Sequence, residues 1–432
     1  MVVKINLVSN YGLHASSLTL ITQKLFLELG KIMNKQKSFT ITATMYSSAG
    51  IGDVNQHYDC VSIPNMGGYN FPPKSTTSSK NLFIGIVGID EVVLGRKVFR
   101  SEKDWKRYRP IIDTEVKKWK KHIEKINRVH TSTASDKEQI IDYLKVPEEK
   151  IDVIPYGVDH DLFKPSKDKR ATRKKICSKF YIKDTPYFIH VSETNWARKN
   201  TKRLFEAFKK AKSAGIPHNL LVIGRNEPLI HKQAKEIPGI VMCGYVKEED
   251  MIEMIQGADA LLLPSIHEGF GLPLVECMSC GIPAITSNIF SPPEIVKNGG
   301  LFADPNSTSD VTERIIEFVK NKKLQEDLSK YALERSLDFS WIKTAEGLLK
   351  LFQENTENEL DSDFDTDYDL AAYRTLTTIC QIHPYLIDQT RQNLLESDYS
   401  KIINWALTVG LEDGYVKDYL IPFTKWLEEH YT

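Results

Sequence analysis

Net charge is what this sequence most plainly lacks. Its 432 residues hold 57 Lys and Arg against 57 Asp and Glu, so no global excess points to nucleic acid or another polyanion. Long apolar runs are missing as well: nothing approaches the roughly 20 residues of a membrane-spanning helix. The opening MVVKINLVSN has too short an apolar part, and too polar a continuation, for a secretion signal. Cysteine is sparse, with six at positions 60, 177, 243, 277, 280 and 380 in no framework spacing, so a reducing cytoplasm is the expected compartment. Cys277 and Cys280 form a C-x-x-C, but inside a predicted short helix and with no second ligand pair nearby. Two cysteines on a helix face are expected there, and neither a metal nor a redox site. No strand is followed by G-x-G-x-x-G, which removes the dinucleotide fingerprint.

What is present is a stretch from Ala258 to Ser287, ADALLLPSIHEGFGLPLVECMSCGIPAITS. Ala258 to Leu263 reads as a strand buried on both faces of a parallel sheet. Gly269 and Gly271 allow a tight turn, Pro273 suits the first turn of a helix, and Gly281 and Pro283 end it. Ala284 then begins another strand. In such a unit the free amides of Phe270, Gly271 and Leu272, at the positive end of a helix dipole, are expected to face a cavity that takes phosphate or sugar hydroxyls. Glu268 sits before the turn and Glu276 inside the helix. Each carboxylate can accept two hydrogen bonds from a vicinal diol, Glu276 from a ribose and Glu268 from a hexose.

HEGFGLPLVE resembles the E-x7-E motif of retaining glycosyltransferase family 4, a GT-B family, and Gly281-Ile282-Pro283-Ala284 and Ser291-Pro292-Pro293-Glu294 resemble its continuation. The resemblance implies that Glu276 binds the nucleotide ribose, that Glu268 contacts the donor sugar, and that the amides of Gly269 to Leu272 contact sugar and diphosphate. It implies a basic pair, Arg198 and Lys199, that neutralises the leaving diphosphate. The family often has a basic residue directly after the preceding strand, where this chain has Glu193. Tyr245 and Val246 fall where the family's backbone reads the base. Gly12 matches a glycine that approaches the phosphates or the acceptor, although the family often shows a pair there. His14 in the same turn, and Asp90 and Glu91 after a strand at Asn81–Val87, are the acceptor-side candidates. The histidine that many members place near that part of the cleft is missing.

Taken in order, the chain is expected to be α/β with the GT-B fold: two Rossmann-like doubly wound domains facing a cleft, plus a C-terminal helical extension. Residues 1–165 would form the acceptor domain and 166–338 the nucleotide-sugar donor domain. The passage Ile154-Pro155-Tyr156-Gly157-Val158-Asp159 would be the crossover, with Tyr156 where the family usually has Asn. A helix at 339–353 would return to brace the first domain. Residues 354–370 read as an acidic linker. Its two D-x-D pairs follow no strand, and its candidate calcium loop lacks Gly and Glu at the needed positions, so no metal is expected. Residues 371–432 read as three or four helices outside the resemblance, suited to homo-oligomerisation or docking. Between 95 and 128, thirteen basic residues outnumber five acidic ones, with Trp105, Tyr108 and Trp119 interleaved. Such a segment suits either a solvated helix face or peripheral contact with an anionic membrane.

The expected function is retaining transfer of a hexose from a nucleoside-diphosphate sugar, GDP-mannose favoured slightly over UDP-linked sugars, to a hydroxyl of a glycan or lipid-linked acceptor. Neither metal nor cofactor is expected. Two alternatives stay open: a nucleotide-sugar epimerase of GT-B fold, and a catalytically silent GT-B scaffold. A glycoside hydrolase is disfavoured, because its two carboxylates must flank the scissile bond, whereas Glu268 and Glu276 belong to one wall.

Overall fold

The structure is a computed structural model that describes residues 3–9, 17–35, 39–45, 60–67, 70–72, 81–99, 101–191, 197–224 and 228–356. Gly12, His14, Glu193, most of the acidic linker and the whole of 371–432 lie outside these residues.

Short apolar strands alternate with helices, and that alternation forces two parallel sheets. The first sheet contains β1 (Val3–Ser9), β2 (Phe39–Met45), β3 (Cys60–Gly67), β4 (Leu82–Val87), β5 (Arg128–Thr131) and β6 (Ile151–Val153), in the order β2-β1-β3-β4-β5-β6. The second contains β7 (Tyr187–Val191), β8 (Asn219–Ile223), β9 (Ile240–Gly244), β10 (Leu261–Leu263), β11 (Ala284–Ser287) and β12 (Gly300–Ala303), in the order β12-β11-β10-β7-β8-β9. Every named pairing is parallel. Helices cover both faces, so Phe83, Ile84, Phe188, Ile189 and Leu261 are wholly buried, as the unalternating composition of these strands requires.

Strand β3 is not legible in the sequence. CVSIPNMG carries Pro64 and Asn65 in its middle, residues that argue against a central strand. The ladder to β4 absorbs them through a register irregularity between Ile63 and Met66. Gly85 makes room opposite, since a Cβ there would run into the Pro64 carbonyl. The strand expected from Ala258 shrinks to Leu261–Leu263, because α8 (Glu248–Gly257) ends only at Gly257. After β5 comes α4 (Ala134–Gln139), followed by a π turn at Ile140–Leu144.

The first domain's helices are α1 (Ser17–Lys35), the short α2 (Asp90–Leu94) and the long α3 (Glu102–His122), besides α4. Ser101 caps α3 by accepting from the Asp104 amide at 3.0 Å, and Ile112 and Trp119 bury its inner side. Its outer face carries the basic residues, together with exposed Tyr108 and Ile111. The second domain adds α5 (Lys169–Lys179), α6 (Thr201–Ser213), α7 (Pro228–Lys235), α9 (Leu272–Ser279), α10 (Ser291–Val296), α11 (Thr308–Lys320) and α12 (Lys322–Ser336). Finally α13 (Trp341–Glu354) returns to the first domain. Phe352 packs edge-on against Phe83 with centroids 4.9 Å apart, and Thr344 donates to the Pro155 carbonyl. No described helix is long and apolar enough to cross a membrane.

Candidate functional site

In open parallel sheets ligands gather beyond the carboxyl ends of the strands, where the strand order reverses direction. In the second sheet that point lies between β7 and β10, adjacent in space but separated by two strands in sequence. The loop after β7 carries Arg198 and Lys199; the loop after β10 carries Ser265, His267 and Glu268. The Ile266 amide donates to the Arg198 carbonyl at 2.9 Å, tying the two loops together. Asn200, with a left-handed φ of 57°, donates to the Pro264 and Pro305 carbonyls at 2.9 and 2.6 Å. That bracket sets Lys199 beside Glu268.

The resulting cluster is buried and charged. Lys199 Nζ lies 2.6 Å from Glu268 Oε1, Ser265 Oγ donates to the same oxygen at 2.6 Å, and Arg198 reaches Glu268 Oε2 at 3.3 Å. Burial works to raise the Glu268 pKa, but Lys199 and Arg198 outweigh it and hold the carboxyl at about 2. The sequence reading gives Glu268 to a hexose and the cations to a diphosphate. Here the three groups satisfy one another.

The other domain completes the cluster. Arg198 Nε lies 3.4 Å from Asp90 at the start of α2. Burial and neighbouring Asp90 push Glu91 up to about 7. From β5 and α4, Thr133 donates to the Gly269 carbonyl at 3.2 Å, and Gln139 Oε1 sits 2.7 Å from His267 Nε2. The Glu294 carboxylate accepts from the amides of Ala134 and Ser135 at 2.9 and 3.3 Å. Gly269 and Gly88 meet backbone to backbone: a Cβ on Gly269 would lie 3.1 Å from the Gly88 nitrogen and 3.1 Å from Asp136 Oδ2. The two domains are therefore closed on each other here.

Glu276 faces elsewhere. It lines a small cavity of about 70 Å³ with Leu272 one turn earlier on α9, Glu248 and Met251 of α8, Lys24 of α1, Gly157 and Asp159 of the crossover, and Trp341. Burial, aided by Glu248, pushes its carboxyl up to about 7. Between the two motif carboxylates in sequence stands Phe270, whose side chain turns into the protein. It is 3% exposed and packs edge-on against Tyr156 and Phe339 at 5.4 and 5.7 Å. An aromatic residue at 156, where the resembled pattern has Asn, supplies that wall. Gly271, at φ 87°, permits the turn into α9, and Ser291 Oγ donates to the Glu268 carbonyl at 2.8 Å to hold the loop. Tyr245 is 85% exposed after β9, while Val246 packs inward.

Sequence reasoning missed Asp136, Gln139, His267, Thr133 and Glu294 as participants. Glu294 and His267 stood in quoted motifs; the others carry no local signal, since only the packing of one domain on the other makes them neighbours. Among the described residues, no group of three or more His, Cys, Asp or Glu is arranged to hold a metal ion.

Residues 172–335 match the family described as Glycosyl transferases group 1. The chain is 29% identical over 204 residues to an O-antigen chain mannosyltransferase B of Escherichia coli, covering 42% of this chain and 53% of that protein. It is 21% identical over 244 residues to a D-inositol 3-phosphate glycosyltransferase of Paenarthrobacter aurescens, covering 52% and 57%. The chain thus spans about half the length of these relatives. Sucrose-phosphate synthase from Thermosynechococcus elongatus superposes with a TM-score of 0.63 at 15% identity, over 82% of this chain and 98% of that one.

Proposed function

Starting from a chain whose residues 172–335 are a group 1 glycosyl transferase segment within a GT-B fold, we propose that the protein moves a hexose from a nucleoside-diphosphate sugar to an acceptor hydroxyl with retention of configuration. The observation that carries this reading is the position of Lys199, Arg198 and Glu268 at the strand-order reversal of the second sheet, with Glu268 on the loop that leads into the helix bearing Glu276 and its cavity. Glu276 would accept from the ribose diol, and Glu268 from the donor hexose. Lys199 and Arg198 would leave Glu268 to hold the diphosphate, Arg as a planar fork and Lys as a point charge. The acceptor oxygen would form its bond to the anomeric carbon on the face from which the phosphate oxygen departs. The acceptor proton would pass to that leaving phosphate. Such a step asks for no enzymic nucleophile and takes most of its acceleration from the cations that meet the developing charge. Closure of the domains would keep water from the donor.

Mannose is the favoured sugar, supported by the mannosyltransferase relative, and GDP the favoured carrier, with UDP next. Arg198 and Lys199 would meet the diphosphate charge without a metal ion. The basic outer face of α3 suits contact with an anionic membrane carrying a lipid-linked acceptor. Calorimetric titration of UDP, GDP, ADP and dTDP, without metal, tests the reading. Micromolar binding of one nucleotide that Glu276→Ala abolishes supports it; binding of none of them sinks it.

A further inference from the structure

The first domain brings three carboxyl groups to the charged cluster, and their chemistry bears on what the acceptor is. Asp136 is 1% exposed, and its Oδ1 has no hydrogen-bond partner. Its other oxygen reaches only Thr131 Oγ1, at 3.5 Å, and points at Gly269 across the domain boundary. A buried polar oxygen without a partner costs free energy in the empty protein, which makes it a position that a ligand hydroxyl would relieve. Glu91 Oε2 is buried and unpartnered in the same way, and Ser132 beside β5 has a third such oxygen. Asp90, Glu268 and Glu294 complete five carboxyl groups around two cations, Arg198 and Lys199. Once a donor diphosphate engages those two cations, the five carboxyl groups would disfavour a further negative charge.

We propose that Asp136, with Glu91, binds the acceptor, and that the acceptor presents a neutral, vicinally hydroxylated ring at the point of transfer and carries no phosphate or carboxylate there. This rests on the glycosyl transfer reading above and names the substrate class of its second substrate. Burial and the neighbouring carboxylates push Asp136 well above the usual carboxylate range. A protonated carboxyl both donates to and accepts from a hydroxyl, the pairing a sugar ring offers. An anion in the same place would be desolvated beside like charges.

The test uses the full chain and whichever nucleotide sugar it binds, following release of the nucleoside diphosphate. Methyl α-mannoside is the neutral probe and inositol 3-phosphate the anionic one. The glycoside is expected to raise the release rate at least tenfold and inositol 3-phosphate to leave it unchanged. Asp136→Leu should raise KM for the glycoside at least tenfold while leaving the donor dissociation constant unchanged, and Asp136→Asn should restore most of it. A merely structural role would move thermal stability and donor affinity together. Acceleration by inositol 3-phosphate, no acceleration by the glycoside, or an unaltered KM in Asp136→Leu overturns the acceptor assignment alone. Failure of every nucleotide sugar to bind overturns the transfer reading, and the acceptor assignment with it.

Discussion

Lys199 Nζ and Glu268 Oε1 form a 2.6 Å ion pair whose side chains are 9% and 4% exposed, across two loops 69 residues apart in sequence. Two charges so deeply buried are stable only while each has the other. On the proposed reading, a diphosphate would take Lys199 while a sugar hydroxyl takes its place on Glu268.

Lys199→Met should therefore leave an unpaired buried carboxylate and lower stability by about 3–5 kcal/mol, read by urea denaturation. The double variant Lys199→Met, Glu268→Gln should recover a large part of that loss. Transfer should fall by about two to three orders of magnitude in both. Recovery of stability without recovery of transfer separates the structural contribution of the pair from its catalytic one.

If Glu276 holds the nucleotide as proposed, binding should depend on pH. Its pKa is raised, by burial and by Glu248, to about 7. Below pH 7 the group is protonated and cannot accept two hydrogen bonds from a diol; above it the carboxylate is available. Nucleotide affinity should climb from pH 6 to pH 8 and level off, with at most a tenfold gain per pH unit. The profile should be flat in Glu276→Gln, as measured by calorimetry.

The same shift acts on stability with the opposite sense. A carboxyl whose folded pKa lies above its unfolded value of 4.5 holds its proton more tightly when folded. Its stabilising effect is full below the unfolded pKa and fades as pH rises through the folded one. Glu91, also raised to about 7 by burial and Asp90, acts alike. The melting temperature of the ligand-free protein should thus decline between pH 5 and pH 7.5. The decline should shrink in Glu276→Gln.

Closure depends on Gly269 and Glu294. Gly269→Ala would press a methyl group against the Gly88 backbone and Asp136, holding the domains apart. Glu294→Ala would strip the charged acceptor from the Ala134 and Ser135 amides, a contact of about 1.5–3 kcal/mol. Both variants should fold with near-normal melting temperatures, show a larger radius in X-ray scattering, and release nucleotide at least tenfold more slowly with acceptor present. Unchanged scattering in both would contradict a closing role.

Gly157 marks the crossover. A Cβ there would enter the backbone of Ser340 and Trp341, where α13 begins. Gly157→Ala should cost more stability than Gly269→Ala, because no domain opening relieves that collision; thermal melting of the two variants decides it.

Local rules made much of this protein legible in its sequence. The apolar run at Asn81–Val87 specified a strand, found as β4 at Leu82–Val87, since a doubly covered sheet shelters it. The turn Gly269–Gly271 with Pro273 specified a helix start by backbone freedom and a dispensable amide. Such signals depend on neighbours in the chain, as did the spacing of Glu268 and Glu276. Packing decided the rest. Strand β3 exists because Gly85 and a shifted register accept Pro64. Phe270 faces inward because Tyr156 and Phe339 meet it. Lys199 bonds Glu268 because Asn200 brackets their loops. Asp136 lies against Gly269 because one domain closes on the other. Contacts between residues distant in sequence leave no periodicity to read; they arise from the shape of folded surfaces, which only the tertiary structure possesses.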